Sequence, residues 1–360
     1  MNNESKEISV RNQWIDIVKS IAIISVVVGH ALNTNNYFDA GIDEIRKFIY
    51  TYHLVVLFWI TGYCWKRKNL SEFITKLKKT YTRYVPYAIG SFLLLPLWVR
   101  MGVVDPCRLS TKGIIYDISK ILMFQVTRGI FMGSLWFVTW KTVTEILLYI
   151  IEKIVQKTNW KYCWMCVGGG AAIIGSILTL EYRPGNYYFN VALLMVPIII
   201  IGRKCKEHFD CLEQRIGGWW FVPSGVILWL LNRYTGLEVG LSRGEIYGGL
   251  LFYPVSIVGI IWCLSLSKLI NTLWLNRAMA YIGRNSMYLM IWHGVSFKLL
   301  DGLIGSITNS CSENLRYYPI AFSSYKMRLE YCVIGIVLPL LIGYTENKVF
   351  SWLQRIVRRK

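Results

Sequence analysis

The chain lacks a cysteine framework. Nine cysteines are present, yet only Cys163 and Cys166 keep a CxxC spacing, and they sit in an apolar, Trp-flanked run. They read as packing residues rather than as a redox or zinc pair. Cys107 and Cys311 fall in segments expected on the outer face and are the two that could meet there. No cleavable leader is expected either. The first apolar run ends in "VVVGHALN" without a small-residue cleavage site, so insertion by that span is expected. No low-complexity tract and no obvious internal repeat is visible. Acidic residues are scarce, at 21 against 40 Lys and Arg, for a net charge of +19. In a soluble chain that excess would point to nucleic acid.

What the chain does have changes that reading. It is 54% hydrophobic and 15% aromatic over 360 residues, with a mean hydropathy of +0.40. Apolar runs of membrane-spanning length recur throughout. The expected fold class is therefore an all-α polytopic membrane protein, because backbone polar groups in lipid must be satisfied within each helix. Hydropathy predicts about ten transmembrane helices in one bundle, at roughly 15–33, 48–65, 84–101, 134–152, 162–181, 187–202, 217–232, 246–267, 278–300 and 329–347. With the N-terminus inside, the inner segments carry roughly twice as many Lys and Arg as the outer ones, so both termini are expected to be cytoplasmic. The positive charge then reads as a topology signal facing anionic membrane lipid, and no nucleic acid partner is expected. Residues 1–360 are expected to form a single integral-membrane domain with no appended soluble domain. Two outer stretches, about 102–133 and 301–328, are long. The first contains "YDISKILMFQV", which has the pattern of a surface or re-entrant helix.

Ionisable residues inside spans are costly, so each is a functional candidate. Only four histidines exist. Under this topology His30, His53 and His293 fall near the outer ends of three separate helices. Histidine is the natural general base near neutral pH. A metal site is the weaker reading, since no Asp or Glu accompanies the three at ligand spacing. In the fourth span Lys141 and Glu145 stand one turn apart and can pair. Asp16 and Lys19 lie at the inner foot of the first helix. Lys19 and His30 share a helix face but stand about 16 Å apart, too far for direct proton transfer. The densest basic stretch, "WKRKNLSEFITKLKKTYTRYVPY", offers Lys66, Arg67, Lys79 and Arg83 to a polyphosphorylated ligand arriving from the cytoplasm.

Four motifs carry a family resemblance: "RNQWIDIVKSIAIISVVVGHA", "YHLVVLFWITGYCWKR", "GSLWFVTW" and "YIGRNSMYLMIWHG". Together, and in this order, they resemble the membrane-bound acyltransferase-3 family of carbohydrate O-acyltransferases. Thr61 stands where that family commonly has Ser, and Arg284 where it has Lys. The resemblance implies a multi-pass protein of the plasma membrane, expected to be bacterial. Its implied reaction is transfer of an acyl group, by default acetyl, from acetyl-CoA to a hydroxyl of a carbohydrate or lipid-linked glycan acceptor, with no metal expected. It implies His30 as the catalytic histidine and Arg67 and Arg83 as the basic positions after the second helix. His53 and His293 join His30 as catalytic candidates, with Trp136, Asn285 and Lys141 as candidate oxyanion donors. The rival reading is a transporter or flippase for a glycan or lipid-linked sugar, which would also use spans and intramembrane charge.

Overall fold

The computed structural model describes residues 13–33, 40–124, 133–158, 162–181, 189–208, 212–235, 237–241, 245–308, 319–322 and 327–357. Helices dominate these segments. The helix α1 (Gln13–Ala31) is apolar on all sides and almost wholly buried, the pattern of a helix enclosed by others. It contacts α2 (Ala40–Tyr50), α3 (His53–Tyr63), α12 (Phe252–Asn271), α13 (Asn276–Arg284), α14 (Ser286–Thr308) and α15 (Met327–Val357). The histidine near its end is therefore delivered to the centre of the bundle. By contrast α8 (Cys163–Glu181) and α15 expose Ile173, Ile174, Ile177, Val333, Val337 and Leu341, as lipid-facing helices do.

Among the described residues three helices are long and apolar enough to cross a membrane: Gln13–Ala31, Gly249–Asn271 and Arg328–Trp352. Other expected spans are shorter, split or displaced. The span expected at 48–65 breaks at Thr51–Tyr52, and α3 covers only its second half. At the break the Ile49 carbonyl accepts from the His53 ring at 2.8 Å, and the Thr51 hydroxyl donates to the Phe48 carbonyl at 2.6 Å. Side chains thus take up acceptors that a continuous helix would use. The span expected at 278–300 is divided between α13 and α14 at Asn285.

The basic stretch expected as an inner loop is mostly helix: α4 runs Leu70–Leu93 and is followed by α5 (Leu95–Arg100). Its start is set by a capping box. Asn69 accepts from the Glu72 amide at 2.8 Å, and Glu72 accepts from the Asn69 amide at 3.0 Å, satisfying two orphan donors at once. The helix α6 (Thr111–Leu122) lies in the first long stretch expected on the outer face, with Ser110 as its N-cap. It turns back along α4, where the Tyr81 hydroxyl donates to the Leu122 carbonyl at 3.3 Å. On α6 the buried Asp117 pairs with Arg108. The short α10 (Leu212–Arg215) precedes α11 (Phe221–Thr235), and a two-stranded antiparallel hairpin, β1 (Glu238–Gly240) with β2 (Glu245–Tyr247), separates α11 from α12.

The helix α3 packs closely against α9 (Phe189–His208). Here glycines let backbones meet: a Cβ on Gly62 would fall on the Ile199 carbonyl, and one on Gly202 on the Trp59 carbonyl. Small residues at such crossings are how membrane helices approach closely. Gly62→Ala is expected to cost about 1–3 kcal/mol of stability, because the obstacle is backbone that cannot rotate away. A lower unfolding temperature in detergent would register it.

Candidate functional site

The three candidate histidines come together. The His30 and His293 rings lie 5.1 Å apart, centroid to centroid, and His30 is within electrostatic reach of both His293 and His53. Their positions along the helices differ from the expectation. His30 is next to the end of α1 and His53 opens α3. However, α14 continues for roughly four turns beyond His293, so that residue is not at the outer end of its helix.

His53 and His293 are locked. Nδ1 of His53 donates to the Ile49 carbonyl at 2.8 Å, and Nδ1 of His293 to the Leu289 carbonyl at 2.7 Å. A carbonyl can only accept, so Nδ1 carries the hydrogen and Nε2 is left as the acceptor nitrogen in each ring. His30 is different. Its ring is half-buried, and its buried Nδ1 has no hydrogen-bond partner among the described residues. Its tautomer is not held by the backbone. Gly29 precedes it because Tyr50 is close: a Cβ there would meet Cε1 of Tyr50 at 3.0 Å. Tyr50 in turn lies 5.0 Å from the His53 ring and donates to the Gly29 carbonyl at 3.4 Å. It thus links the His53 ring to the residue before His30. Among the described residues no group of three His, Cys, Asp or Glu is arranged to hold a metal ion.

A cationic pole lies at the other end of α3. The charges of Lys19, Lys141 and Lys206 all reach the position of Cys64, just past that helix. They come from α1, α7 (Trp136–Lys157) and α9. Asp16 pairs with Lys19 at 3.3 Å, and Lys206 lies 5.3 Å from the Tyr63 ring centre. On α7 the expected Lys141–Glu145 pair forms, and Lys76 of α4 joins it at 2.7 Å from Glu145. Two turns on, Glu152 receives the Trp65 indole at 3.0 Å and Arg203 at 2.9 Å. Phe73 stacks on Tyr149 between them at 4.1 Å. The basic segment is therefore zipped along α7 in antiparallel register. Glu145 and Glu152 are both buried, and each is shared by two cations, since Arg67 also approaches Glu152 at 3.7 Å. Positive charge is left in excess around the α3 terminus.

The other candidates are distributed around these two centres. Arg67 is 72% exposed, and Lys66, Lys79 and Arg83 are exposed as well. Arg83 stands apart from the α7 cluster. Its charge reaches Tyr87 and Tyr288, beside the 2.9 Å hydrogen bond from Tyr87 to Glu346 of α15. Asn285 terminates α13, and its amide donates to the Tyr281 carbonyl at 2.9 Å. It lies roughly 12 Å along the chain axis from His293, away from the histidines. Trp136 is half-buried and stacks on Trp140 at 5.3 Å.

Three participants were not anticipated. Lys206 and the Trp65–Glu152–Arg203 node are invisible to hydropathy, which averages over their charges. Trp140 is fully buried against Phe58 at 4.3 Å, and only its packing distinguishes it from other tryptophans. Of the cysteines, Cys163 is buried and Cys166 exposed, both as free thiols, and Cys107 is free and exposed. Cys311 lies outside the described residues.

No curated protein and no solved structure matches the chain. A family profile described as an acyltransferase domain does match, over residues 12–344. That stretch holds all three histidines, both buried glutamates of α7 and the cations around them, and with such coverage the chain belongs to the membrane acyltransferase-3 family.

Proposed function

We propose that this membrane acyltransferase moves an acetyl group from cytoplasmic acetyl-CoA to a hydroxyl of a carbohydrate or lipid-linked glycan, with His30 as the general base. The observation that carries the reading is the difference among the clustered histidines. Nδ1 of His53 and of His293 is held by a backbone carbonyl, whereas Nδ1 of His30 has no such restraint. A base must take up and return a proton through a ring nitrogen that substrate can meet, and His30 offers a nitrogen that no group among the described residues occupies.

The donor's phosphates suit the cationic pole, where Lys19, Lys141 and Lys206 converge and Lys66 and Arg67 follow α3, with Lys79 and Arg83 further along α4. Two poles joined by α3 favour a donor held by its phosphates at one end and reacting at the other. His30 takes the hydroxyl proton as that oxygen attacks the thioester carbonyl carbon. The C–O bond forms, the C–S bond breaks, and His30 returns the proton to the departing thiolate. His53 and His293, as acceptors through Nε2, are suited to orienting the attacking hydroxyl. With N-terminus and C-terminus cytoplasmic, the acceptor meets the histidines from the outer side. The transporter reading finds no support in the acyltransferase profile.

Acetyl-CoA is expected to raise the unfolding temperature of the detergent-solubilised protein. Cells lacking the protein are expected to lose O-acetyl groups from a surface glycan. No stabilisation by acetyl-CoA together with an unchanged glycan would overturn the reading. Lys206→Gln should raise the KM for acetyl-CoA roughly tenfold, the scale of one charge-assisted contact, and flatten its salt dependence. An unchanged KM would remove Lys206 from the donor site.

A further inference from the structure

We propose that the indole N–H of Trp140 donates a hydrogen bond to an amide carbonyl of the donor's pantetheine arm; this rests on the acyl-CoA reading above. The Trp140 side chain is fully enclosed, at 0% exposure. Its Nε1 has no hydrogen-bond partner among the described residues. Buried donors are nearly always satisfied in native proteins, and one left unpaired carries the full cost of desolvation. The rings in contact with it are Phe58, Trp136 and Phe137, and the two phenylalanines offer no polar atom. An indole can only donate, so the missing partner is an acceptor.

Position narrows the identity of that acceptor. Trp140 precedes Lys141 of the cationic pole. It packs on Phe58, which lies about 7.5 Å along α3 from His53 and about 9 Å from Cys64. It therefore sits midway between the end that suits phosphates and the end that holds the histidines. An arm joining a nucleotide at one pole to a thioester at the other passes this level. The arm of CoA carries two amides, and their carbonyls need donors inside an apolar bundle. A glycan, arriving on the histidine side, need not reach so far.

The test uses the full chain in detergent and two unreactive probes, CoA itself and adenosine 3′,5′-bisphosphate, which lacks the arm. Binding is read by titration calorimetry. Trp140→Phe is expected to weaken CoA roughly tenfold and to leave the bisphosphate unchanged. The bisphosphate also reports whether the cationic pole has survived the substitution. Unchanged CoA affinity in the variant would overturn the proposal, as would equal weakening of both probes, which would mark a general loss of structure. If the wild-type protein binds the bisphosphate and CoA equally well, the arm gains nothing from the bundle and the proposal fails while the donor reading stands. Wild-type protein that binds neither would remove the donor reading and this proposal with it.

Discussion

Replacing His30 by alanine is expected to abolish transfer of labelled acetyl from acetyl-CoA, with a loss of roughly 10²- to 10⁴-fold, the usual contribution of a positioned general base. Donor binding should survive, because the cations that suit its phosphates stand at the far end of α3 and on α4 and α7. The unfolding temperature should change little, since His30 is half-buried and its Nδ1 makes no bond that would be broken. The combination of intact binding and lost turnover separates a chemical role from a structural one. His293→Ala makes a useful contrast. His293 is buried, bonded to the Leu289 carbonyl and packed edge-on against Phe297 at 5.7 Å, so its loss should lower stability as well as turnover. Full transfer activity in His30→Ala would sink the assignment of the base.

Asp301→Ala is expected to destabilise the protein by about 3–5 kcal/mol, the cost of stripping the partner from a buried ion pair. Asp301 and Lys298 are both fully buried and 2.6 Å apart on α14. The same carboxylate accepts from the Tyr331 hydroxyl of α15 and from the Ala321 amide at 3.1 and 3.2 Å. One side chain therefore ties α14, α15 and the segment between them. Removing it takes the shared carboxylate away from an ammonium, a phenol and an amide in one enclosed place. Thermal unfolding in detergent measures the loss. The double variant Asp301→Leu with Lys298→Met, which removes both charges, should recover much of it. A single variant as stable as the wild type would show that the buried charge finds another partner.

Much of the site was legible in one dimension because histidine is rare here. With four in the chain, three falling in apolar spans formed a pattern, and the structure brings those three together. The Lys141–Glu145 pair was legible for a similar reason, since helix geometry places residues four apart on one face. Other features were not. The basic segment looked like a loop because hydropathy penalises its lysines, although Asn69 and Glu72 form a capping signature that opens a helix at Leu70. Lys206, Glu152 and Trp65 are separated by long stretches of chain and mean nothing singly. Trp140 is one of fifteen tryptophans, and its unpaired N–H exists only as a consequence of what packs around it.

The amino-acid sequence by itself determined the helical, membrane-embedded class, because runs of apolar residues leave the backbone no partner but its own turns. It also determined the family, through short motifs whose order and residue types survive without coordinates. Only the tertiary structure decided that His30 differs from its two neighbours. That difference depends on whether a backbone carbonyl happens to face each ring, and a carbonyl's direction follows from where each helix breaks and packs. The breaks at Thr51–Tyr52 and Asn285, and the glycine contacts that press α3 onto α9, are properties of the assembled bundle rather than of any stretch of chain.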